Sequence, residues 1–305
     1  MADTRGLIKA LLRIPDNYHI FFFQGNSTQC FSSICFNLLG DGKDKKANYL
    51  VTGKYSAQAK EESAKHCDPN EVTATEWNVV EGASYFHYTD SEASDGFEFK
   101  DFPYEKVPSD QILVADMSST IATKHIDWSK YGVVYAGLKK QVGTTGIYLT
   151  VVREDLIGHH RPETPSLLEW EGYAKDTTSQ WPSVWSLYMC GLNLENMLSQ
   201  GGINEMDAKA KMKSELLYDF IDESNGYYAN SVEQQYRSRM NVPFKISNAD
   251  ELEAKFLKEA TDASLCALHK NSVGGIRANL YNSTSFADTY ALIDFMQKFM
   301  TENPK

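Results

Sequence analysis

Short apolar runs recur through the first half of the chain and limit the folds open to it. Each run has four to six residues rich in Val, Ile, Phe and Tyr, and several are continuously apolar rather than alternating. Strands that are buried on both faces of a sheet have this composition. Six runs therefore predict strands: residues 18–23, 49–52, 77–80, 112–115, 132–136 and 147–152.

Helix-like stretches lie between the first of these runs, at residues 28–39 and 56–66. Alternation of strand and helix is typical of an α/β domain with a mostly parallel sheet. The spacer at residues 81–111 leaves room for a hairpin or extra loops.

The pattern becomes helical after residue 184. Residues 185–200 end at a Gly-Gly pair and residues 203–224 end at Asn-Gly, and glycine commonly follows the end of a helix. Strand-like residues 239–246 and 276–281 then alternate with helical residues 250–268 and 285–300. We therefore expect a large domain at residues 1–204 and a small α+β domain at residues 205–305.

Charge and hydropathy exclude two classes of partner. The 30 basic and 41 acidic residues give a net charge of −11, whereas binding to nucleic-acid phosphates needs a basic surface. No window reaches the roughly 18 apolar residues of a membrane span, and the first 14 residues lack the features of a signal peptide. We expect neither a nucleic-acid partner nor a membrane.

The cysteines and histidines indicate a cytoplasmic protein without a metal centre. The five cysteines include no CxxC pair, and most lie in apolar or helical runs, which favours buried reduced thiols. The seven histidines are scattered. The adjacent pair His159 and His160 lacks the spacing of a metal site.

Ligands of an open α/β sheet bind beyond the carboxyl ends of its strands, and four predicted ends carry suitable side chains. After residues 21–23 comes a small polar turn with Asn26 and Ser27 that opens a helix, where free N–H groups could hold a phosphate. Most such turns are polar for geometric reasons alone. After residues 49–52 comes Tyr55, which is either an aromatic platform or a rim tyrosine.

The other two ends carry charged groups. Asp116 follows four apolar residues and either caps a turn or balances a cation. Lys139 and Lys140 lie in the turn after residues 133–136, and they are either two exposed loop lysines or include one whose burial makes it a nucleophile. Together, a phosphate turn, an aromatic face, a buried carboxylate and a strand-end lysine are the groups that pyridoxal phosphate needs.

Six segments make the chain similar to the phosphoserine aminotransferase family. They are residues 14–18, 115–119, 130–137, 152–156, 237–244 and 273–282, and they keep the family's order nearly from end to end. The resemblance implies the type I pyridoxal-phosphate fold: a large domain with a mostly parallel sheet flanked by helices, and a small α+β C-terminal domain.

The resemblance also implies roles for individual residues. Lys140 is the Schiff-base lysine, Asp116 the partner of the pyridinium nitrogen, and Tyr55 the aromatic stacked on the ring. Arg277 grips the α-carboxylate of the substrate. The implied reaction exchanges an amino group between phosphoserine with 2-oxoglutarate and 3-phosphohydroxypyruvate with glutamate, as in serine biosynthesis.

This chain departs from the family pattern at residues that bind cofactor and substrate. The family's phosphate turn is replaced at Asn26 and Ser27, and its cofactor-binding threonine aligns with Ala93, next to Ser94. The His-Arg pair that reads the substrate phosphate aligns with Lys270 and Asn271. The cofactor-binding positions that we predict are Lys140, Asp116, Tyr55, Asn26, Ser27, Ser118, Lys139, Ala93, Ser94, Gln180 and Trp181.

The family's opening Gly-Pro-Ala turn and Ser-His-Arg-Ser segment have no counterpart here. In the family this segment covers the active site and contributes to the homodimer. We therefore expect a truncated chain with a weakened dimer and impaired activity.

Two alternatives stay open at this point. The chain is either a folded protein that binds cofactor poorly and does not catalyse, or a lyase on the same fold, such as a cysteine desulfurase. The lyase chemistry needs a cysteine on a mobile loop, and none of the five cysteines has that setting in the sequence.

Overall fold

The structure is a computed structural model, and it describes residues 2–40, 45–175, 182–246, 250–265, 268–271 and 274–304. Contacts within the chain define two compact units. The first comprises Met1–Asp90 and Asp101–Asn204, and the second comprises Ser91–Lys100 and Glu205–Lys305. The predicted large domain ran from residue 1 to 204 without interruption, so this division differs from it in the ten residues Ser91–Lys100.

The helices and strands follow one another along the chain in this order: α1 (Ala2–Leu12), β1 (Tyr18–Gln24), α2 (Thr28–Leu38), β2 (Lys46–Val51), α3 (Lys54–Ser63), β3 (Asp68–Thr73), β4 (Tyr85–Thr89), β5 (Ser91–Glu92), β6 (Phe97–Glu98), β7 (Ile112–Asp116), β8 (Val133–Gly137), β9 (Ile147–Arg153), α4 (Trp170–Lys175), α5 (Val184–Ser199), α6 (Gly202–Glu223), β10 (Tyr228–Ala229), β11 (Asn241–Ile246), α7 (Asp250–Asp262), β12 (His269–Lys270), β13 (Ile276–Asn279) and α8 (Phe286–Glu302).

The first unit is built on a seven-stranded sheet in the order β1-β9-β8-β7-β4-β2-β3. The pairs from β8 to β3 are parallel, and only β9 runs against its neighbours β1 and β8. Six strands therefore end at the same edge. Strands β4, β7 and β8 are almost entirely buried, as expected for strands covered on both faces. The predicted mostly parallel sheet is confirmed.

The predicted strand at residues 77–80 is wrong, and two strands of the sheet were not predicted. Residues 77–80 are extended loop, because side-chain amides take the bonds that a neighbouring strand would make. Asn48 Nδ2 and Gln111 Nε2 donate to the Val80 carbonyl, at 2.9 and 2.8 Å. Strand β3 is a polar edge strand, and β4 is made of tyrosine, phenylalanine, histidine and threonine, so neither forms an aliphatic run.

The second unit contains a four-stranded antiparallel sheet in the order β10-β11-β13-β12, with α6, α7 and α8 and the hairpin β5–β6. Its core is aromatic and aliphatic, with Tyr228, Phe244, Phe256 and Phe299 buried together. Helix α8 begins with a capping box formed by Ser285 and Asp288. Helix α7 ends at Asp262, six residues before the predicted end at residue 268. The α+β character of this unit is confirmed.

Two further observations concern the whole described part of the chain. No helix in it is both long enough and apolar enough to cross a membrane. Cys30, Cys35, Cys67 and Cys190 are free thiols, and all except Cys67 are buried; Cys266 lies outside the described residues.

Candidate active site

Lys140 lies in the turn that follows β8, at the carboxyl edge of the sheet. The turn folds back on itself because the Val142 and Gly143 N–H groups both donate to the Leu138 carbonyl, at 3.1 and 2.8 Å. It is tied to the turn that follows β7 by Gln141, whose Nε2 donates to the Ser119 carbonyl at 2.8 Å. A rigid turn of this kind gives the lysine a defined direction.

The structure separates the two lysines that the sequence left side by side. Lys139 is exposed, whereas Lys140 is half-buried. The Lys140 Nζ donates to Ser119 Oγ at 2.8 Å and lies 5.5 Å from the centre of the Tyr55 ring. Tyr55 is the second residue of α3. The predicted lysine and the predicted aromatic therefore meet at this edge.

Asp116 is the last residue of β7 and is buried. Its Oδ1 accepts the Ser118 N–H at 2.8 Å, so the carboxylate does cap a turn. Burial raises the pKa of Asp116, while hydrogen bonds from Ser118, the charge of Lys140 and a hydrogen bond from Tyr135 lower it. A buried carboxylate that faces a lysine also serves as a counter-charge, so both interpretations of Asp116 apply.

The turn at residues 24–28 satisfies two of its own N–H groups, which the sequence did not predict. The Thr28 N–H donates to Asn26 Oδ1 at 2.8 Å, and the Asn26 N–H donates to Gln29 Oε1 at 3.2 Å. Gly25 has a φ of +124°, and a Cβ there would lie 1.6 Å from Gln29 Oε1. Glycine is therefore required for this compact turn.

Small residues from three strand ends meet beside the turn. The Gly137 N–H donates to Ser118 Oγ at 3.0 Å. A Cβ on Gly137 would lie 3.4 Å from Ser27 Oγ and 3.8 Å from Ser118 Oγ. Two hydroxyl groups therefore face one stretch of strand backbone with little side-chain bulk. Ser27 is the N-cap residue of α2, so these hydroxyls lie where the positive end of the helix dipole points.

Gln180 and Trp181, which were predicted to bind cofactor, lie outside the described residues. Just after these residues, the Ser183 N–H donates to Gln24 Oε1 at 2.8 Å. Ser183 also caps α5, since its side chain accepts the Ser186 N–H. The start of α5 is thus attached to the end of β1, at the same edge of the sheet as Lys140 and Asp116.

Five other predicted residues belong to the second unit. Arg277 lies on β13 and its Nη1 donates to the Ala93 carbonyl at 3.2 Å, while its buried Nε has no hydrogen-bond partner among the described residues. Asn271 Nδ2 donates to the Ser94 carbonyl at 2.6 Å. Lys270 is exposed. Arg277 thus keeps donor capacity for an anion, whereas the Asn271 Nδ2 already donates to a carbonyl.

The sequence missed three residues of the site. Ser119 accepts a hydrogen bond from Lys140, Tyr135 lies opposite Asp116 in the strand register and lowers the pKa of its carboxyl, and His87 contacts Tyr135. Ser119 could have been predicted from the sequence, because it follows Asp116 in the same strand-end segment. Tyr135 and His87 lie inside strands, where an aromatic residue ordinarily indicates core packing.

One group of possible metal ligands occurs in the described ranges, which the histidine spacing did not indicate. His160, Glu169 and Glu171 offer ligand atoms within 4.8 Å of one another. His160 Nε2 lies 3.8 Å from Glu169, and its Nδ1 lies 3.6 Å from Glu171. Because the two carboxylates face different ring nitrogens, the arrangement is that of an imidazole between two acidic groups.

Comparisons with known proteins agree with this geometry. The family model described as aminotransferase class V matches residues 1–292. The phosphoserine aminotransferase of Pasteurella multocida is 42% identical and aligns with 97% of this chain and 84% of its own length. Phosphoserine aminotransferase 2, chloroplastic, of Arabidopsis thaliana is 38% identical and aligns with 97% of this chain and 72% of its own length.

Solved structures extend the likeness to the fold. The crystal structure of a PLP-bound phosphoserine aminotransferase from Trichomonas vaginalis superimposes with a TM-score of 0.90 at 29% identity, covering 97% of this chain and 86% of the other. The predicted type I fold is confirmed by this superposition. Since the family model spans nearly the whole sequence, the chain belongs to the class V aminotransferase family.

Proposed function

We propose that this protein is a phosphoserine aminotransferase that uses pyridoxal phosphate. It would exchange an amino group between phosphoserine with 2-oxoglutarate and 3-phosphohydroxypyruvate with glutamate, in serine biosynthesis. The observation that carries the proposal is Lys140, held by Ser119 over the Tyr55 ring at the sheet edge where the buried Asp116 lies. Relatives with this activity in their names are 38–42% identical over 97% of the chain.

The residues at this edge fit the chemistry of pyridoxal phosphate. The aldehyde of this cofactor reacts with an amine. Its pyridinium nitrogen is stabilised by a nearby carboxylate that is shielded from water. Asp116 is buried, and the Thr89 Oγ1 opposite it in the strand register is a buried hydroxyl without a partner among the described residues. A buried polar atom left unbonded is costly unless a ligand completes it. When bound, the cofactor supplies a conjugated ring that takes up electrons from the substrate Cα.

Each residue has a defined task in this proposal. Lys140 would hold the cofactor through its Nζ and later carry a proton to and from the substrate Cα. Ser119 Oγ would orient the amine. The Asp116 carboxylate would accept a hydrogen bond from the pyridinium nitrogen. The Tyr55 ring would cover one face of the cofactor.

Substrate binding falls to the second unit. Arg277 would grip the α-carboxylate, which phosphoserine and glutamate share, through a two-point contact. Lys270 would supply the positive charge for the substrate phosphate. Asn271 would act through its bond to the Ser94 carbonyl, which positions the hairpin segment rather than the phosphate.

A homodimer in the cytoplasm completes the proposal. Four large side chains on α5 are strongly exposed, with Val184 and Trp185 both 67% exposed, followed by Tyr188 and Leu192. Apolar side chains clustered on one helix in this way are typical of a protein–protein interface. The free thiols among the described cysteines fit a reducing compartment.

A spectroscopic titration tests the proposed activity. The purified protein is mixed with pyridoxal phosphate, and its visible absorbance is followed as glutamate and then phosphoserine are added. We expect a bound-cofactor band that bleaches with either amino donor and returns with 2-oxoglutarate. A stable band that neither donor bleaches would indicate a protein that only binds the cofactor.

The lyase alternative predicts a different product from the same sample. A cysteine desulfurase would convert free cysteine to alanine and take the sulfur as a persulfide on a reactive thiol near the cofactor, and an added thiol reductant would then release it as sulfide. Three of the four described cysteines are buried, and burial raises the pKa of Cys30 and Cys190, so these thiols are poor nucleophiles. We expect no sulfide release above that of the cofactor alone.

A further inference from the structure

A chain of buried polar side chains lies behind Asp116, inside the first unit. Tyr135 on β8 stands directly opposite Asp116 in the register of the parallel pair β7–β8. The Tyr135 hydroxyl lies 2.8 Å from His87 Nε2 on β4, and both side chains are buried. His87, Asp116 and Tyr135 therefore share one face of the sheet.

The chemistry of the three groups sets the direction of the hydrogen bonds. An ionised carboxylate can only accept, so the Tyr135 hydroxyl donates to Asp116. The same hydroxyl must then accept from His87, which places the imidazole proton on Nε2. Burial lowers the pKa of His87 to about 3, so the ring is neutral, and its Nδ1 is a lone pair without a partner among the described residues.

Aromatic packing holds the His87 ring in this orientation. The ring stacks on Tyr49 with centroids 4.9 Å apart and an interplanar angle of 29°. Tyr49 is itself fixed, since its hydroxyl lies 2.6 Å from the Tyr85 hydroxyl. The imidazole therefore has little freedom to turn its Nε2 away from Tyr135.

We propose that Tyr135 and His87 are positioning residues for Asp116, which orient its carboxylate and keep it ionised toward the pyridinium nitrogen. The part that concerns the cofactor rests on the proposed function. The part that concerns the carboxylate rests on the sheet alone and can be tested without cofactor.

The balance of charges around Asp116 shows why a donor matters there. Burial favours the neutral acid and is the largest influence on Asp116, whose pKa it raises. Ser118, Lys140 and Tyr135 oppose this by favouring the carboxylate. Removing the Tyr135 hydroxyl should therefore raise the pKa of Asp116 further.

The first test measures stability of the cofactor-free protein as a function of pH. Asp116 is unfavourable to the fold when it is ionised, because its folded pKa lies above its unfolded value. Tyr135→Phe should add to this cost only where Asp116 is charged. We expect its unfolding equilibrium constant, relative to that of the parent protein, to rise about tenfold between acidic pH, where Asp116 is protonated, and pH 8.

Tyr228→Phe is the matched control. Tyr228 is another buried tyrosine, and its hydroxyl donates to the Met296 carbonyl at 2.8 Å rather than to any residue around Asp116. Its loss should destabilise the protein equally at both pH values. His87→Phe keeps a ring against Tyr49 but removes the donor, and we expect a pH-dependent loss about two- to threefold in size.

The second test measures the dissociation constant of pyridoxal phosphate by fluorescence at pH 8. Tyr135→Phe should bind about tenfold more weakly than the parent, and Tyr228→Phe should bind like the parent. If Tyr135→Phe and Tyr228→Phe show the same pH-independent loss of stability, the hydrogen-bond relay from His87 through Tyr135 to Asp116 does not exist and the two tyrosines serve packing alone. If the parent protein binds no cofactor, the proposed function fails, and the pH comparison still decides whether the relay exists.

Discussion

The Lys140 Nζ donates a hydrogen bond of 2.8 Å to Ser119 Oγ, which follows β7, the strand next to the one whose turn carries the lysine. This contact fixes the amine above Tyr55 and within the field of Asp116. Ser119→Ala should lower kcat by about three- to tenfold, because one neutral acceptor contributes about 0.5–1.5 kcal/mol. Steady-state kinetics with glutamate measure this. Ser119→Thr keeps the hydroxyl and should recover most of the rate.

Borohydride trapping distinguishes the two neighbouring lysines. Lys140→Ala should abolish covalent trapping of pyridoxal phosphate, because this is the lysine that faces Ser119 and Tyr55. Lys139→Ala should leave trapping intact, since Lys139 is exposed. Mass spectrometry of the trapped peptide gives the answer, and a modified Lys139 in the parent protein would reverse the assignment.

Arg277→Lys should raise KM for both amino donors. Lysine keeps the charge but loses the planar two-point contact with a carboxylate. Because glutamate and phosphoserine share the α-carboxylate, we expect an increase of about tenfold or more for each. Lys270→Ala is the comparison, and it should affect phosphoserine more than glutamate. An effect of Arg277→Lys on phosphoserine alone would contradict the proposed role.

The ion pair of Glu98 and Arg239 holds the second unit together. Glu98 is fully buried, and Oε1 accepts from Arg239 Nε and Nη2 at 3.0 and 2.8 Å. Glu98→Ala leaves the guanidinium without its main partner and should cost about 3–5 kcal/mol of unfolding free energy. Urea denaturation measures it. Asp16→Asn removes an ion pair with Lys9 in which the aspartate is fully exposed, and it should leave the urea midpoint unchanged.

Lys213 makes stability depend on pH in the alkaline range. Its buried Nζ donates to the Tyr281 and Thr284 carbonyls, and burial lowers the pKa of Lys213 to about 8. Between this value and the unfolded value of 10.5, the folded protein binds fewer protons than the unfolded chain, so stability rises with pH.

Lys213→Met removes the titrating group. The difference in unfolding free energy between parent and variant should grow in favour of the parent from pH 8 to pH 10, by at most about 1.4 kcal/mol per pH unit. Chemical denaturation at several pH values tests this. A difference that stays constant would show that Lys213 is charged throughout this range.

The strands that the sequence predicted correctly are those whose own residues form apolar runs. Residues 18–23, 49–52, 112–115, 132–136 and 147–152 are apolar enough to require burial in any fold, and all five coincide with strands of the sheet. Strands β3 and β4 were not predicted, because their residues do not form an aliphatic run and only pairing with neighbouring strands makes them part of the sheet. The polar β3 is held at the edge by pairing with β2, and aromatic β4 is buried between β2 and β7.

The residues of the candidate site also divide into those that the sequence predicted and those that only the tertiary structure brings together. The order of Asp116 and Lys140 after two apolar runs, together with the family segments, was enough to predict both residues and the cofactor from the amino-acid sequence. Which face each side chain takes after its strand ends was decided by the tertiary structure, because a turn of a few residues can direct a side chain to either side. The Leu138–Gly143 turn and its bond to Ser119 therefore separate Lys140 from Lys139. The pairing of Asp116 with Tyr135, and of Tyr135 with His87, joins residues 19 to 48 positions apart, and only the packing of parallel strands brings them together.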